Sequence, residues 1–430
     1  MKHLYSNILT LAMMAITLLT IGCSSDDGIP SETTGTAISL AASVDGLETR
    51  AGIRGEIDYS VLAQADNGTD TYGFGVFSSS TSKGFTSWLS NEHVIYSGSR
   101  PASNPDDYYV YPGNWTYANT KDWTDDAQIS FYAYAPYVSE GSGTTGITNM
   151  NVSPPSIDYA IATTPDQCVD LLWGVNAATG KPWTDATLDE THGPVLFIFH
   201  HALAAIGFHV QAIVDKDNDT SDFTDKSDVA DMLAAGGNYK ITVKSLQLEG
   251  LFYPNATLNL QNTTANAPLW TNYGTLASRT LTVGNVLINT QFRHPETATT
   301  QAILENDELP GVTQTPLQPL IIPNATNKEQ CFFVIPNAAT GQTYTATLNW
   351  CLSGKALDGT YITEDRTSKV TISDLALQAG IKYYLNFVIG LKTLQLNVTA
   401  EDWATGIPID LTATIERGTS ANSSLAPQRR

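Results

Sequence analysis

Short stretches in which apolar and polar residues alternate recur along most of the chain, and they decide its fold class. "YGFGVFSSS" (72–80), "DYYVYPG" (107–113) and "AQISFYAYAPYV" (127–138) come first, then "VLFIFHHALAAIGFHVQAIV" (195–214) and "YKITVKSLQLEGLFY" (239–253). "CFFVIPN" (331–337), "TYTATLNWCLSG" (343–354), "IKYYLNFVIG" (381–390) and "LKTLQLNVTAEDW" (391–403) complete the series. A strand turns successive side chains to opposite faces, so a period of two buries one face and leaves the other in water. Clusters of Gly, Pro, Asn and Asp separate the runs. Strands so punctuated predict an all-β protein built of sandwiches. Only "KSDVADMLAAGG" (226–237) and "VTISDLALQAG" (370–380) suggest short helical turns. The polar stretch 140–193 has the weakest pattern and reads as a decorated loop region, which puts a domain boundary near 194.

The chain of 430 residues carries a net charge of -21, and only 15% of its residues are charged. That balance argues against nucleic acid and anionic membrane surfaces as partners. At the start, Lys2 and His3 precede an apolar run from Ile8 to Ile21, too short to cross a bilayer and suited to a signal peptide. The run ends in "LLTIGC", followed by "SSDDG", which resembles a bacterial lipoprotein signal. That resemblance makes 1–22 the leader and Cys23 the lipidated first residue, with an acidic tag routing it to the outer membrane surface. The alternative is an ordinary secretory signal cut nearby.

The other cysteines are Cys168, Cys331 and Cys351, an odd number that cannot form a closed disulfide framework. If "CFFVIPN" and "YTATLNWC" form a hairpin, Cys331 faces about residue 347 and Cys351 lies out of reach. All three are expected to be free and mostly buried.

A search for chemistry returns no metalloprotease, nucleophile-elbow, phosphate-loop or Cys-x-x-Cys motif, so no catalytic residue, cofactor or metal is expected. His200 and His201 are consecutive in a strand-like run, point to opposite faces and do not share a metal. "DKDNDT" (215–220) has calcium-loop spacing at Asp215, Asp217 and Asp219, but Thr220 and Lys226 occupy the positions that need Gly and Glu. It reads as a solvated acidic turn. The aromatic-rich segment from Trp88 to Tyr137 reads mainly as core, with a sugar-stacking surface as the competing reading.

"AISLAASVDGLETRAGIRGE" (37–56) is the first strand-like run, and it leads straight into Arg50 and Arg54 in a chain with 22 basic residues. "YVYPGNWTYANTKDW", "ISFYAYAPY", "FHHALAAIGFHV" and "QAGIKYYLNFVIGLKTLQLNVTAEDW" make the chain similar to the fimbrillin family of Bacteroidales, the subunits of lipoprotein-derived pili. The resemblance implies two tandem transthyretin-like β-sandwich domains with long loops. It also implies a fimbrial protein of the cell outer membrane and extracellular surface, supporting adhesion. An Arg-specific or trypsin-like protease would remove the first strand, with Arg50 as the cleavage position and Arg54 as a second candidate. Another subunit's extended segment would then fill the groove. Its partners would be identical or related pilus subunits, the protease and, before maturation, membrane lipid through Cys23.

A replacement strand has to repeat the buried pattern of the strand it replaces. Ile38, Leu40, Ala42 and Val44 read I-x-L-x-A-x-V, and Ile409, Leu411, Ala413 and Ile415 in "PIDLTATIERG" read I-x-L-x-A-x-I. The first set is the candidate removable strand and the second the candidate donor strand. An ordinary intramolecular terminal strand is the other reading of the tail. The expected layout is a leader (1–22), a removable strand and cleavage loop (23–54), sandwiches at 55–193 and 194–403, and a donor-like tail (404–430). A stalk subunit assembling by donor-strand exchange fits both ends of the chain. The rival is a tip adhesin or stand-alone surface lipoprotein that binds glycan or protein ligands.

Overall fold

The computed structural model describes residues 36–44, 57, 62, 73–97, 115–123, 128–139, 145–191, 193–212, 239–283, 288–293, 305–306, 318–319, 330–337, 342–355, 361–389, 394–409 and 414–416. The first strands in chain order are β1 (Leu40–Val44), β2 (Phe74–Ser80), β3 (Phe85–Tyr96), β4 (Trp115–Thr116) and β5 (Ile129–Ala135). They continue with β6 (Gly146–Val152), β7 (Pro155–Ala160), β8 (Leu172–Val175), β9 (Trp183–Ala186) and β10 (Val195–His201). Next are β11 (Ala204–Ala212), β12 (Tyr239–Phe252), β13 (Asn255–Asn259), β14 (Leu269–Thr271), β15 (Ala277–Val283) and β16 (Ile288–Arg293). Short β17 (Glu305–Asn306) and β18 (Gln318–Pro319) lead to β19 (Cys331–Val334), β20 (Thr343–Lys355) and β21 (Tyr361–Ser373). The last are β22 (Ile381–Ile389), β23 (Leu394–Asp402), β24 (Pro408–Ile409) and β25 (Thr414–Glu416). The all-β expectation holds.

An eight-stranded sheet runs β1-β10-β8-β5-β2-β3-β4, with β9 also on β5. Alternation along its strands separates two cores. Phe74, Val76, Phe131, Ala133, Phe197 and Phe199 face one, while Phe77, Tyr132, Tyr134, Trp173 and Val175 face the other. The strand residues of the first core all come from this one sheet, which therefore curls around it. The curl is closed by the chain on either side of Ile38. Ala37 bridges to Asp122, just beyond β4, and the Ile38 N–H donates to the Lys121 carbonyl at 2.7 Å.

A six-stranded sheet (β18-β11-β22-β23-β24, with β19 on β11) and a seven-stranded sheet (β17-β16-β12-β20-β21-β25, with β15 on β12) share the second core. A four-stranded sheet, β14-β13-β7-β6, joins β6 and β7 from the first half of the chain to β13 and β14 from the second. Interlocked in this way, both halves of the chain contribute to the second core, while the first is lined by the eight-stranded sheet.

Several expectations change against these strands. The stretch 140–193 is not a loop region: β6, β7, β8 and β9 lie in it, and Tyr159 and Trp173 are fully buried. Its strands are short, the exposed positions of β6 and β9 are polar (Asn149, Thr184 and Asp185) and β8 is buried throughout, so the period of two is diluted. The run 195–214 is two strands, and the chain changes sheets at Ala202–Leu203 rather than at 194, because β10 pairs with β8 and β1. The segment 370–380 is the end of β21 followed by an irregular turn, with Leu377 bridged to Asn337, and is not helical. The hairpin between 331–337 and 343–354 does not form: β19 pairs with β11, while β20 pairs with β12 and β21. Cys168, Cys331 and Cys351 are nonetheless buried, and none of them is in a disulfide. The segments 107–113, 215–220 and 226–237 lie outside the described residues.

Candidate functional site

The first strand is held by its side chains and by hydrogen bonds along both edges. β1 runs parallel to β10, with Leu40 opposite Val195, Ala42 opposite Phe197 and Val44 opposite Phe199. Ile38, Leu40 and Ala42 are buried, and Val44 packs half-buried on the same core. These four residues therefore point where their alternation predicts. Beneath them Phe74 meets Phe197, Phe199 and Trp115 edge-on, at ring centroid distances of 5.9, 5.3 and 5.2 Å. The residues flanking Leu40 differ, because Ser39, just before β1, is exposed while Ala41 is completely buried.

On the other edge, the Tyr117 hydroxyl donates to the Ile38 carbonyl at 2.7 Å and accepts the Lys121 N–H at 3.3 Å. Burial pushes the Tyr117 hydroxyl above its usual titration range, and the Lys121 N–H opposes part of that shift. β1 is thus a single extended segment set between the two ends of a curled sheet. Burying an Ile or Leu side chain contributes roughly 1.5–3 kcal/mol, so its anchoring is largely apolar.

Arg50 and Arg54 lie outside the described residues, as does Cys23. Beyond them Ile57 donates its backbone N–H to Asp170 Oδ2 at 3.0 Å, and His201 Nδ1 meets the same oxygen at 2.9 Å. His201 in turn lies flat on Trp403, with centroids 3.9 Å apart and planes 4° from parallel. This joint links the segment after β1 to the end of β10 and the end of β23. His200, on the opposite face, is half-buried, so the two histidines do diverge. The sequence alone does not pair Asp170 and Trp403 with His201. The signal for Asp170 is a lone acid among apolar neighbours in "CVDLLW" (168–173).

At the C-terminal end Ile409 sits in β24 opposite Ala400 and is 37% exposed, and Ile407 beside it is 63% exposed. Ile415 sits in β25 opposite Ile372. Leu411 and Ala413 lie outside the described residues. The tail therefore makes two short pairings with two different sheets. Of the aromatic-rich segment, Tyr96, Trp115, Trp123, Phe131, Tyr132 and Tyr134 are buried in the two cores. Among the described residues, no group of three or more His, Cys, Asp or Glu is placed to hold a metal ion.

These features define an all-β protein whose first strand closes a curled sheet ahead of an arginine-bearing segment. Residues 63–403 match the model of the Fimbrillin-like family, and the chain belongs to that family. Over 169 residues it is 28% identical to the fimbrium subunit Fim1C of Phocaeicola vulgatus, a match covering 35% of this chain and 40% of that protein. The chain thus spans less than half the length of that relative. A proposed cell adhesion protein from Bacteroides uniformis aligns over 85% of this chain and 98% of its own, with 16% identity and a TM-score of 0.38. Another from Parabacteroides distasonis aligns over 91% and 99%, with 8% identity and a TM-score of 0.35. The family assignment rests on the family model.

Proposed function

We propose that the chain is a pilus subunit of the stalk type, exported as a lipoprotein through Cys23 and displayed at the outer membrane and extracellular surface. A protease specific for Arg cuts at Arg50 or Arg54, β1 leaves, and the tail carrying Ile409, Leu411, Ala413 and Ile415 of another subunit takes its place. The observation that carries this reading is the position of β1. It is one extended segment whose loss opens a slot along β10 without breaking any strand-to-strand pairing elsewhere in the sheet. A strand replacing it recovers both backbone pairing and apolar pockets, the two sources of affinity and specificity in strand addition. The weak and divided pairing of β24 and β25 in the subunit's own sheets supports a tail that can be given up. The name of the fimbrium subunit relative supports the same class.

The tip-adhesin reading rests on an aromatic surface, and most described aromatics of 88–137 are spent on the cores. Sequencing the N-terminus of the protein in assembled surface fibres tests the proposal. Ala51 or Gly55 as the first residue is expected, whereas fibres whose subunits keep residues 38–44 in the same polypeptide would overturn it.

A further inference from the structure

We propose that the outward face of the four-stranded sheet β14-β13-β7-β6, with the turn that follows β14, is a binding site for an uncharged oligosaccharide. The proposal stands apart from strand exchange, because this sheet neither contains β1 nor pairs with β10.

Alternation decides which side chains form the face. Ile157 and Tyr159 of β7, and Ala256 and Leu258 of β13, point into the second core. Asp158 and Thr257 lie opposite each other between them and so point outward, with Asn149 of β6 on the other side of Asp158. Thr257 Oγ1 donates to Asp158 Oδ1 at 2.7 Å, and Asn149 Nδ2 donates to Asp158 Oδ2 at 3.1 Å. Asn149 Nδ2 also reaches Asn151 Oδ1 at 3.2 Å. This row fixes its members without using them up. Asp158 is only half-buried and accepts two of the roughly four hydrogen bonds open to a carboxylate. Asn149 is exposed and contributes only its amide nitrogen to the row. Asp158 is also the single charged residue of the four strands.

One end of the row meets an aromatic ring. Asn272, just after β14, brings Nδ2 to 3.5 Å from Thr257 Oγ1. Tyr273 follows it and is 44% exposed, the most open aromatic among the side chains described. Its ring rests on Tyr253, with centroids 4.4 Å apart. The turn is held tightly: the Gly274 N–H donates to the Asn255 carbonyl at 2.8 Å, and a Cβ on Gly274 would stand 2.2 Å from Asn255 Oδ1. A rigid turn that leaves a large ring in water gives up burial energy, and such exposed apolar surface marks interaction sites.

A sugar ring matches both parts of this surface. It has an apolar C–H face and a rim of hydroxyls that donate and accept. Tyr273 suits the first, and the fixed carboxylate and amides suit the second. Because the row is already held in place, little side-chain freedom is lost on binding. A carboxylate with no cation in these strands disfavours sulfated, sialylated and nucleic-acid ligands. An extended peptide would instead seek an unpaired strand edge for its backbone, whereas this face offers side chains of paired strands. Strands about 4.8 Å apart make the face about 14 Å wide, the reach of a short oligosaccharide.

The test applies the fluorescently labelled full chain to an array of neutral hexose and N-acetylhexosamine oligosaccharides beside sialylated and sulfated ones. Binding to one or more neutral glycans is expected, with the charged ones left unbound. Tyr273→Ala and Asn149→Ala, both at exposed positions, are each expected to weaken the strongest interaction about tenfold at an unchanged melting temperature. Tyr273→Phe keeps the ring and should stay within about twofold of the unmutated chain. An array on which no neutral glycan is bound overturns the proposal. Binding confined to charged glycans overturns it too, as does neutral binding that survives both alanine variants. None of these outcomes bears on strand exchange, which is read from the N-terminus of subunits in fibres.

Discussion

Tyr134 on β5 lies directly opposite Gly75 on β2, and its ring occupies the space a side chain at Gly75 would need. A Cβ built on Gly75 would stand 2.3 Å from Tyr134 Cε1. The same relationship recurs at Gly250 with Tyr344 and, more loosely, at Gly207 with Tyr384. A tyrosine folded over a cross-strand glycine covers backbone that the glycine would leave bare, so these pairs act as units within their sheets.

Gly75→Ala is therefore expected to destabilise the chain by about 1–3 kcal/mol, the range for overpacking a filled core. The Tyr134 ring cannot swing aside, because its hydroxyl donates to Asn91 Oδ1 at 2.8 Å and accepts the Val138 N–H at 3.3 Å. Tyr344 has no hydrogen-bond partner for its hydroxyl and so is freer to move. Urea unfolding should rank Gly75→Ala as more damaging than Gly250→Ala. The opposite order would show that hydroxyl anchoring does not set the cost.

A second expectation concerns the two residues that flank Leu40. Ala41 is fully buried opposite Leu196, whereas Ser39 is exposed. Ala41→Leu should cost about 1–3 kcal/mol by overpacking, while Ser39→Leu should change stability little. Equal denaturant midpoints for the two variants would mean that β1 is not packed on both faces.

Alternation alone located most strands, because one-sided burial is local information: Ile38, Leu40 and Ala42 point inward as their spacing predicts. Partner choice is not local. Nothing in "CFFVIPN" says that it pairs with β11 instead of the segment following it, and that choice is made by the core shared between sheets. The strands of 140–193 are hidden in the sequence for a related reason. The face of the four-stranded sheet away from the core carries Asn149, Asp158 and Thr257, joined by side-chain hydrogen bonds, so their polarity reads as loop until β13 is set beside β7. The joint of Asp170, His201 and Trp403 draws on three distant segments, and only the lone acid among apolar residues hinted at it.

Alkaline pH should loosen β1 through Tyr117. Burial raises its hydroxyl titration, so the folded chain holds this proton more tightly than a chain in which Tyr117 is exposed. The contribution is whole below the ordinary tyrosine value, about pH 10, and is lost as pH rises from there through the raised folded value. Because the same proton bonds the Ile38 carbonyl, release of β1 from nicked protein should accelerate above about pH 10. Other buried tyrosines also titrate high, Tyr383 being pushed up to about 12, so overall stability falls in the same window. Tyr117→Phe isolates the local part: it should release β1 faster at neutral pH and show a flatter rise with pH. A pH profile of release unchanged by Tyr117→Phe would refute the assignment.

The last expectation joins the two ends of the chain. Copying the tail onto β1 in the same direction puts Ile409 at Ile38, Leu411 at Leu40, Ala413 at Ala42 and Ile415 at Val44. Leu411 would then face the site opposite Val195 that Leu40 fills completely. Leu411→Asp would place a carboxylate there without a partner, which is strongly disfavoured. After cleavage the unmutated chain should therefore form polymers on size-exclusion chromatography, while Leu411→Asp should stay monomeric and folded. The burial of Ala41 adds a finer expectation. Asp410 would fall at exposed Ser39 and tolerate change, but Thr412 would fall at Ala41, which is fully buried. Thr412→Ala should thus strengthen chaining and Thr412→Leu weaken it, with Asp410→Asn neutral. Polymerisation of Leu411→Asp at the unmutated rate would show that the tail is not the donor. The slot along β10 would then require another occupant, and a ligand-binding role at the fibre tip would become the better account.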